Sequence, residues 1–151
     1  MSLKDKVQAE MVTAMKAKDQ AALRALRAIK SAILLAETAE GRVSGSPLTE
    51  DEEMKLLVKQ SKQRKDSIEQ FRNAGRTDLA VGEEEELVII DRFLPKALTP
   101  DELKAEIEAI IAELGATSAK DMGKVMGAAN KRLAGRADGK EISVLVKQLL
   151  P

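Results

Sequence analysis

Residues 98–115, LTPDELKAEIEAIIAELG, carry a full set of helix punctuation. Thr99 offers a side-chain acceptor at the N-cap. Pro100 sits at the first helical position, where its missing N–H costs nothing. Glu102 is placed to reach back to the cap, and Gly115 supplies the stop. Between these marks Leu103, Ile107, Ile110, Ile111 and Leu114 recur at three- and four-residue intervals, which on a helix form one apolar stripe. Such a stripe is buried by packing other helices against it.

The rest of the chain repeats that grammar. Ser2 caps a first helix to about Lys18, with Val7, Met11, Ala14 and Met15 on one face. Asp19 caps a second, whose stripe is Leu23, Leu26, Ile29 and Ile33, with Arg24, Arg27 and Lys30 repeating at spacing three. EGRVSGSP, residues 40–47, breaks it. Thr49 and Glu52 form a capping box for a third helix, with Met54, Leu57 and Val58 opening its buried face and Ile68 and Phe71 closing it. Its middle, SKQRKD at 61–66, is wholly polar and is expected to project past the helix's packing partners.

After Gly75, a fourth helix is expected from Asp78 to the stop at Pro95, with the acidic run Glu83–Glu86 complementing the dipole at its start. Gly82 inside it costs about 1 kcal/mol relative to Ala and is expected to fray the first turn. Two short helices, 118–134 and 138–150, end the chain, the second capped by Asp138 with Glu141 three residues on. The Pro95–Pro100 stretch marks a boundary between domains at 1–96 and 97–151. The first is read as four helices in long hairpins, the second as a three-helix bundle. The fold class is all-α. Composition agrees: the 44% apolar content is dominated by good helix formers, with no Trp or Tyr and only Phe71 and Phe93 as aromatics.

Charge is balanced overall at 25 against 25, so any anion site must be local. Residues 78–99 hold six acidic and two basic side chains, whereas 115–151 hold seven basic and three acidic. The stretch GKVMGAANKRLAGRADGK, 123–140, also concentrates four of the nine glycines. On a helix of about 100° per residue, Met122, Val125, Met126, Ala129 and Leu133 gather on one side. Lys120, Lys124 and Lys131 gather opposite, with Gly127 beside them and Gly123 nearer the edge. Two explanations stay open. Glycines four apart admit a close neighbouring helix, the lysines being merely solvated, or they leave backbone and lysines open to an anionic partner. The candidate nucleic-acid-binding set is Lys120, Lys124, Lys131, Arg132, Arg136, Lys140 and Lys147. A secondary basic face is expected from Arg24, Arg27, Lys30, Lys62, Arg64 and Lys65.

Several function classes are disfavoured. With no Cys, disulfides and thiolate chemistry are excluded and a reducing cytoplasm is the expected compartment. With no His or Tyr either, the usual general base is missing. No catalytic residue, metal or cofactor is expected. GRADGKE, 135–141, falls short of a phosphate-binding loop: three residues separate its glycines instead of four, Glu141 replaces Ser or Thr, and it follows a helix rather than a strand. No apolar run approaches a membrane span, and the opening MSLKDKVQAEM alternates charge too often for a signal peptide.

The segments DMGKVMG (121–127) and GRADGKEISVLVKQLL (135–150) resemble the carboxy-terminal signature of the GatB/YqeY family. KQRKDSIEQFRNAGRTDLAVGEEEELVIIDRFLP (62–95) resembles its central helices, and ALRALRAIKSAI (22–33) its early basic helix. The length is that of the stand-alone YqeY type. The resemblance implies a two-part helical fold. It also implies an RNA-facing role, by analogy with the tail of the B subunit of the glutamine-dependent aminoacyl-tRNA amidotransferase. The partners it suggests are tRNA or another structured RNA, and amidotransferase or aminoacyl-tRNA synthetase components. The alternatives are a carbon–nitrogen ligase using glutamine as amido donor, by family association, and a protein–protein adaptor, suggested by charge neutrality and by the long second and third helices.

Overall fold

The computed structural model describes residues 1–43 and 45–150. Ser44, inside the expected break at 40–47, and Pro151 lie outside the described residues. The described residues form seven α-helices and no strand: α1 Leu3–Ala17, α2 Gln20–Glu37, α3 Glu50–Asn73, α4 Thr77–Asp91, α5 Pro100–Leu114, α6 Met122–Arg132 and α7 Gly139–Leu149, with a 3₁₀ turn at Ala119–Asp121. The chain divides into two units, Met1–Leu94 and Pro95–Pro151, each with its own core.

In the first unit α1 pairs with α2, and α4 lies along both α2 and α3. Its centre is α2, whose stripe Ala22, Ala25, Leu26, Ile29 and Ile33 is buried, together with Val7 of α1, Leu57 of α3 and Ile90 of α4. Capping follows the sequence closely: Ser2 and Thr49 form reciprocal boxes with Asp5 and Glu52, and the Asp19 carboxylate accepts from the Ala22 N–H at 3.0 Å. Met15, expected on the buried face of α1, is instead exposed, because that helix ends one turn later with Lys18 in a left-handed conformation at φ 58°.

Two expectations about α3 and α4 are overturned together. The polar run 61–66 is not a solvated overhang throughout: Lys62, Gln63, Lys65 and Asp66 are exposed, but Ser61 and Arg64 turn inward. Ser61 is buried and donates to Asp91 Oδ1 at 3.2 Å, and the Arg64 guanidinium reaches Glu83 at 3.0 Å and Glu86 at 3.1 Å. Nor do Glu83–Glu86 lie at a helix start. α4 begins at Thr77 with no side-chain cap, so Gly82 and the acidic run occupy its middle, and it ends at Asp91, short of Pro95. Arg64 is tolerable between the two paired helices because its guanidinium meets Glu83 and Glu86 across the seam.

In the second unit α5, α6 and α7 enclose Leu103, Ile107, Ile110, Val125, Ala129, Leu133, Ile142 and Val146. Thr99 caps α5 by accepting from the Glu102 N–H at 3.2 Å, but Glu102 does not return the bond as expected. Leu114, expected in the stripe, is 45% exposed at the last turn, next to Gly115 at φ 62°. The expected single helix over 118–134 is the 3₁₀ turn followed by α6, and Gly135, at φ 78°, reverses the chain before α7. Asp138 caps α7 by accepting from the Lys140 N–H at 3.1 Å.

Candidate nucleic-acid interface

The outer face of α6 is built by default, as what remains once Val125, Ala129 and Leu133 turn inward. Lys124, Gly127 and Lys131 follow one another at intervals of three and four residues, which places them in a line on the far side of the helix. Gly123 stands beside that line. All four are exposed, and a Cβ added to either glycine would meet nothing within 4 Å. One part of the first reading left open by the sequence is not met, since no helix of the described residues closes over Gly123 and Gly127. In an 11-residue helix, two solvent-facing glycines each cost about 1 kcal/mol relative to Ala, with no packing gain to offset it.

The other candidate residues fall into three groups. Lys120, in the 3₁₀ turn, and Lys140 and Lys147 of α7 are exposed. The last two are seven residues apart, so they share the side of α7 opposite Ile142 and Val146. Among the described residues none of Lys120, Lys124, Lys131, Lys140 and Lys147 lies within 4.0 Å of a carboxylate. Arg132 differs: it is paired with Glu113 of α5, and its hydrogen bond holds that carboxyl below the usual carboxylate range. Arg136 is half-buried, with its carbonyl accepting from the Leu98 N–H at 2.9 Å, so its backbone serves the fold.

The second unit thus separates charge. α5 carries Asp101, Glu102, Glu106, Glu108 and Glu113 against Lys104 alone, whereas α6 and α7 turn lysines outward.

The expected secondary basic face does not form as one surface. Arg24 pairs with Glu85 and Glu86, each at 3.5 Å, and Arg64 with Glu83 and Glu86, so both serve the seam with α4. Lys30 donates to Gln8 Oε1 at 3.2 Å. Arg27, Lys62 and Lys65 are exposed. Lys62 aligns instead with Lys55 and Lys59, two exposed residues the sequence reading passed over. Their four- and three-residue intervals were the available signal.

This arrangement, a helical unit with a glycine-notched basic helix and an acidic partner helix, lies within the reach of a known family model. Residues 4–150 match the family described as Yqey-like protein. The chain belongs to the YqeY-like family. Among its YqeY-like relatives is a protein of Pyrenophora tritici-repentis named Altered inheritance of mitochondria protein 41, mitochondrial. The two are 31% identical over 153 residues, covering 96% of this chain and 79% of the relative. A second, described as an uncharacterized protein of Schizosaccharomyces pombe, is 40% identical over 65 residues, covering 42% of this chain and 53% of the relative. Among the described residues of this YqeY-like chain, no helix is long and apolar enough to cross a membrane.

Proposed function

We propose that this protein binds structured RNA, with tRNA the first candidate, through the outward lysines of α6 and α7. The observation that carries the reading is the solvent-open line Lys124–Gly127–Lys131. Bare backbone lets a phosphodiester strand approach closely, and the two flanking ammonium groups, about 10 Å apart along the axis, neutralise phosphates on either side. The second unit holds no aromatic side chain, so contacts go to phosphates and duplex shape, not to stacked bases. The role follows as accessory to translation or to tRNA-dependent amidation, with chemistry supplied by other proteins. The proposed compartment is the cytoplasm, on the strength of the cysteine-free composition.

Titration of a tRNA against the full chain over a salt series tests this. With Lys124, Lys131, Lys140 and Lys147 engaged, log affinity should fall with log salt at a slope of about −3. Affinity indifferent to salt, or unchanged in Lys124→Glu/Lys131→Glu, removes the reading.

A further inference from the structure

The face of α3 turned away from the first unit's core holds Lys55, Lys59 and Lys62. Placed at about 100° per residue, they fall within a band roughly 60° wide opposite the buried Leu57. Lys65 lies about 60° to the side of that band, and all four are exposed. Residues 54–65 contain five basic side chains and no acidic one, and only Arg64 turns inward, to Glu83 and Glu86. Among the described residues no carboxylate comes within 4.0 Å of Lys55, Lys59, Lys62 or Lys65. That is notable beside α4, whose glutamates are taken by Arg24, Arg64 and Arg72. The arginines absorb the local acid and leave the lysines unbalanced, in a row about 10 Å long from Lys55 to Lys62 and about 15 Å long to Lys65.

We infer that this lysine row on α3 is a second polyanion-binding surface, and that its occupant is the phosphate backbone of duplex RNA. The inference rests on the reading above for the class of ligand but uses different residues in a different unit. Chemistry selects the occupant. Lysines bind phosphates as point charges, and a straight row suits a line of phosphates. A membrane surface would need large exposed apolar side chains beside the lysines, and here the neighbours Leu56 and Val58 are both half-buried, Leu56 against the core. Single-stranded RNA would need a stacking aromatic, and the row has none. Asp51 before the row and Asp66 after it limit the surface to about three turns.

The test is a nuclear magnetic resonance titration of the full, isotope-labelled chain with a blunt RNA duplex of mixed sequence. Shifts in the amides of Lys55–Lys65 together with those of α6 and α7 support both proposals. Shifts confined to α6 and α7 overturn the α3 inference and leave the earlier reading standing. Shifts confined to α3 do the reverse, and no shifts overturn both. Lys59→Gln/Lys62→Gln, which touches no packing contact, should keep the melting curve of the parent, weaken binding about five- to tenfold at low salt, and flatten the salt slope by about 1.5. Unchanged affinity and slope in that variant overturn the inference. So does equal binding of the parent and the variant to phosphatidylserine vesicles with no response to RNA.

Discussion

The α3–α4 hairpin and the α6–α7 pair are both rich in basic side chains, yet they spend them differently. Arg64 and Arg72 across the hairpin seam, with Arg24 from α2, meet the four consecutive glutamates of α4. On α6 and α7 the lysines meet no carboxylate of the described residues: five acids of that unit sit on α5, which reaches across only through Glu113 to Arg132, and Asp121, Asp138 and Glu141 pair with no lysine. A count of charges along a segment therefore says little about surface potential. What matters is which sign the neighbouring helix presents. Residue type follows the same division: planar guanidiniums, able to bond two carboxylates at once, fill the seams, and flexible ammonium groups face outward.

The sharpest way to break this contrast is to remove one arginine from the seam. Arg64 is mostly covered, and so are Glu83 and Glu86. Arg64→Ala leaves two crowded carboxylates without their shared partner and should destabilise the first unit by about 2 kcal/mol, read as a lower urea midpoint. RNA affinity measured below the unfolding range should stay at the parent level. A variant that loses RNA binding while keeping its stability would show that Arg64 faces a ligand, not α4.

The reverse experiment belongs to α6. Lys124→Glu/Lys131→Glu should reduce tRNA affinity at least tenfold, about 1.4 kcal/mol, while stability moves by less than about 0.5 kcal/mol. Gly127→Ala sharpens the point at a smaller scale. Its Cβ has open space, so the helix should gain about 0.5–1 kcal/mol in thermal or urea unfolding. If the bare backbone is where phosphates approach, the same variant binds RNA more weakly despite being more stable. Gains in both would detach the glycine from binding.

The helices were legible in the sequence because their signals are local. Thr49, Thr99 and Asp138 cap by bonding to a backbone N–H two or three residues on, and the stripe of Ile107 and Ile110 needs only its own period. What misled were residues whose role is set across a seam. SKQRKD looks like a solvated overhang, and the glutamates after Gly82 look like dipole complement, until Arg64 in the first is found paired with Glu83 and Glu86 in the second. The outward direction of Lys124 and Lys131 followed from the wheel. That no helix covers Gly123 and Gly127 did not, since glycines four apart suit a close contact and an open surface equally. The row Lys55–Lys62 was missed for a related reason: it counts as basic surface only after Arg64 has taken the nearby acid.

The smallest expected effect concerns a third kind of pairing, the exposed clasp of the loop between α2 and α3. Arg42 reaches Glu52 at 2.6 and 3.1 Å and the Pro47 carbonyl at 2.8 Å, while Glu52 also accepts from the Thr49 N–H at 2.7 Å. The Arg42 hydrogen bond, followed by that backbone bond, lowers the Glu52 carboxyl to about 2. An unfolded glutamate titrates near 4.3. The folded value is the lower one, so the unfolded chain takes up the proton first as pH falls, and the stabilisation is complete above about pH 5 and is lost between there and pH 2. Weaker amide protection, taken as the exchange rate relative to an unstructured chain at the same pH, in residues 39–43, 45, 46, 48 and 49 across that window, and not at pH 6 and 7, is the expected signature. Arg42→Met should show the weaker protection at every pH. The loop's proton response would then belong to this clasp and not to the buried seam of Arg64, whose carboxylates sit on a helix and whose loss the urea midpoint reports. A parent loop whose amides are equally protected at pH 3 and pH 7, or a methionine variant that keeps the pH dependence of protection, assigns the response to some other carboxylate.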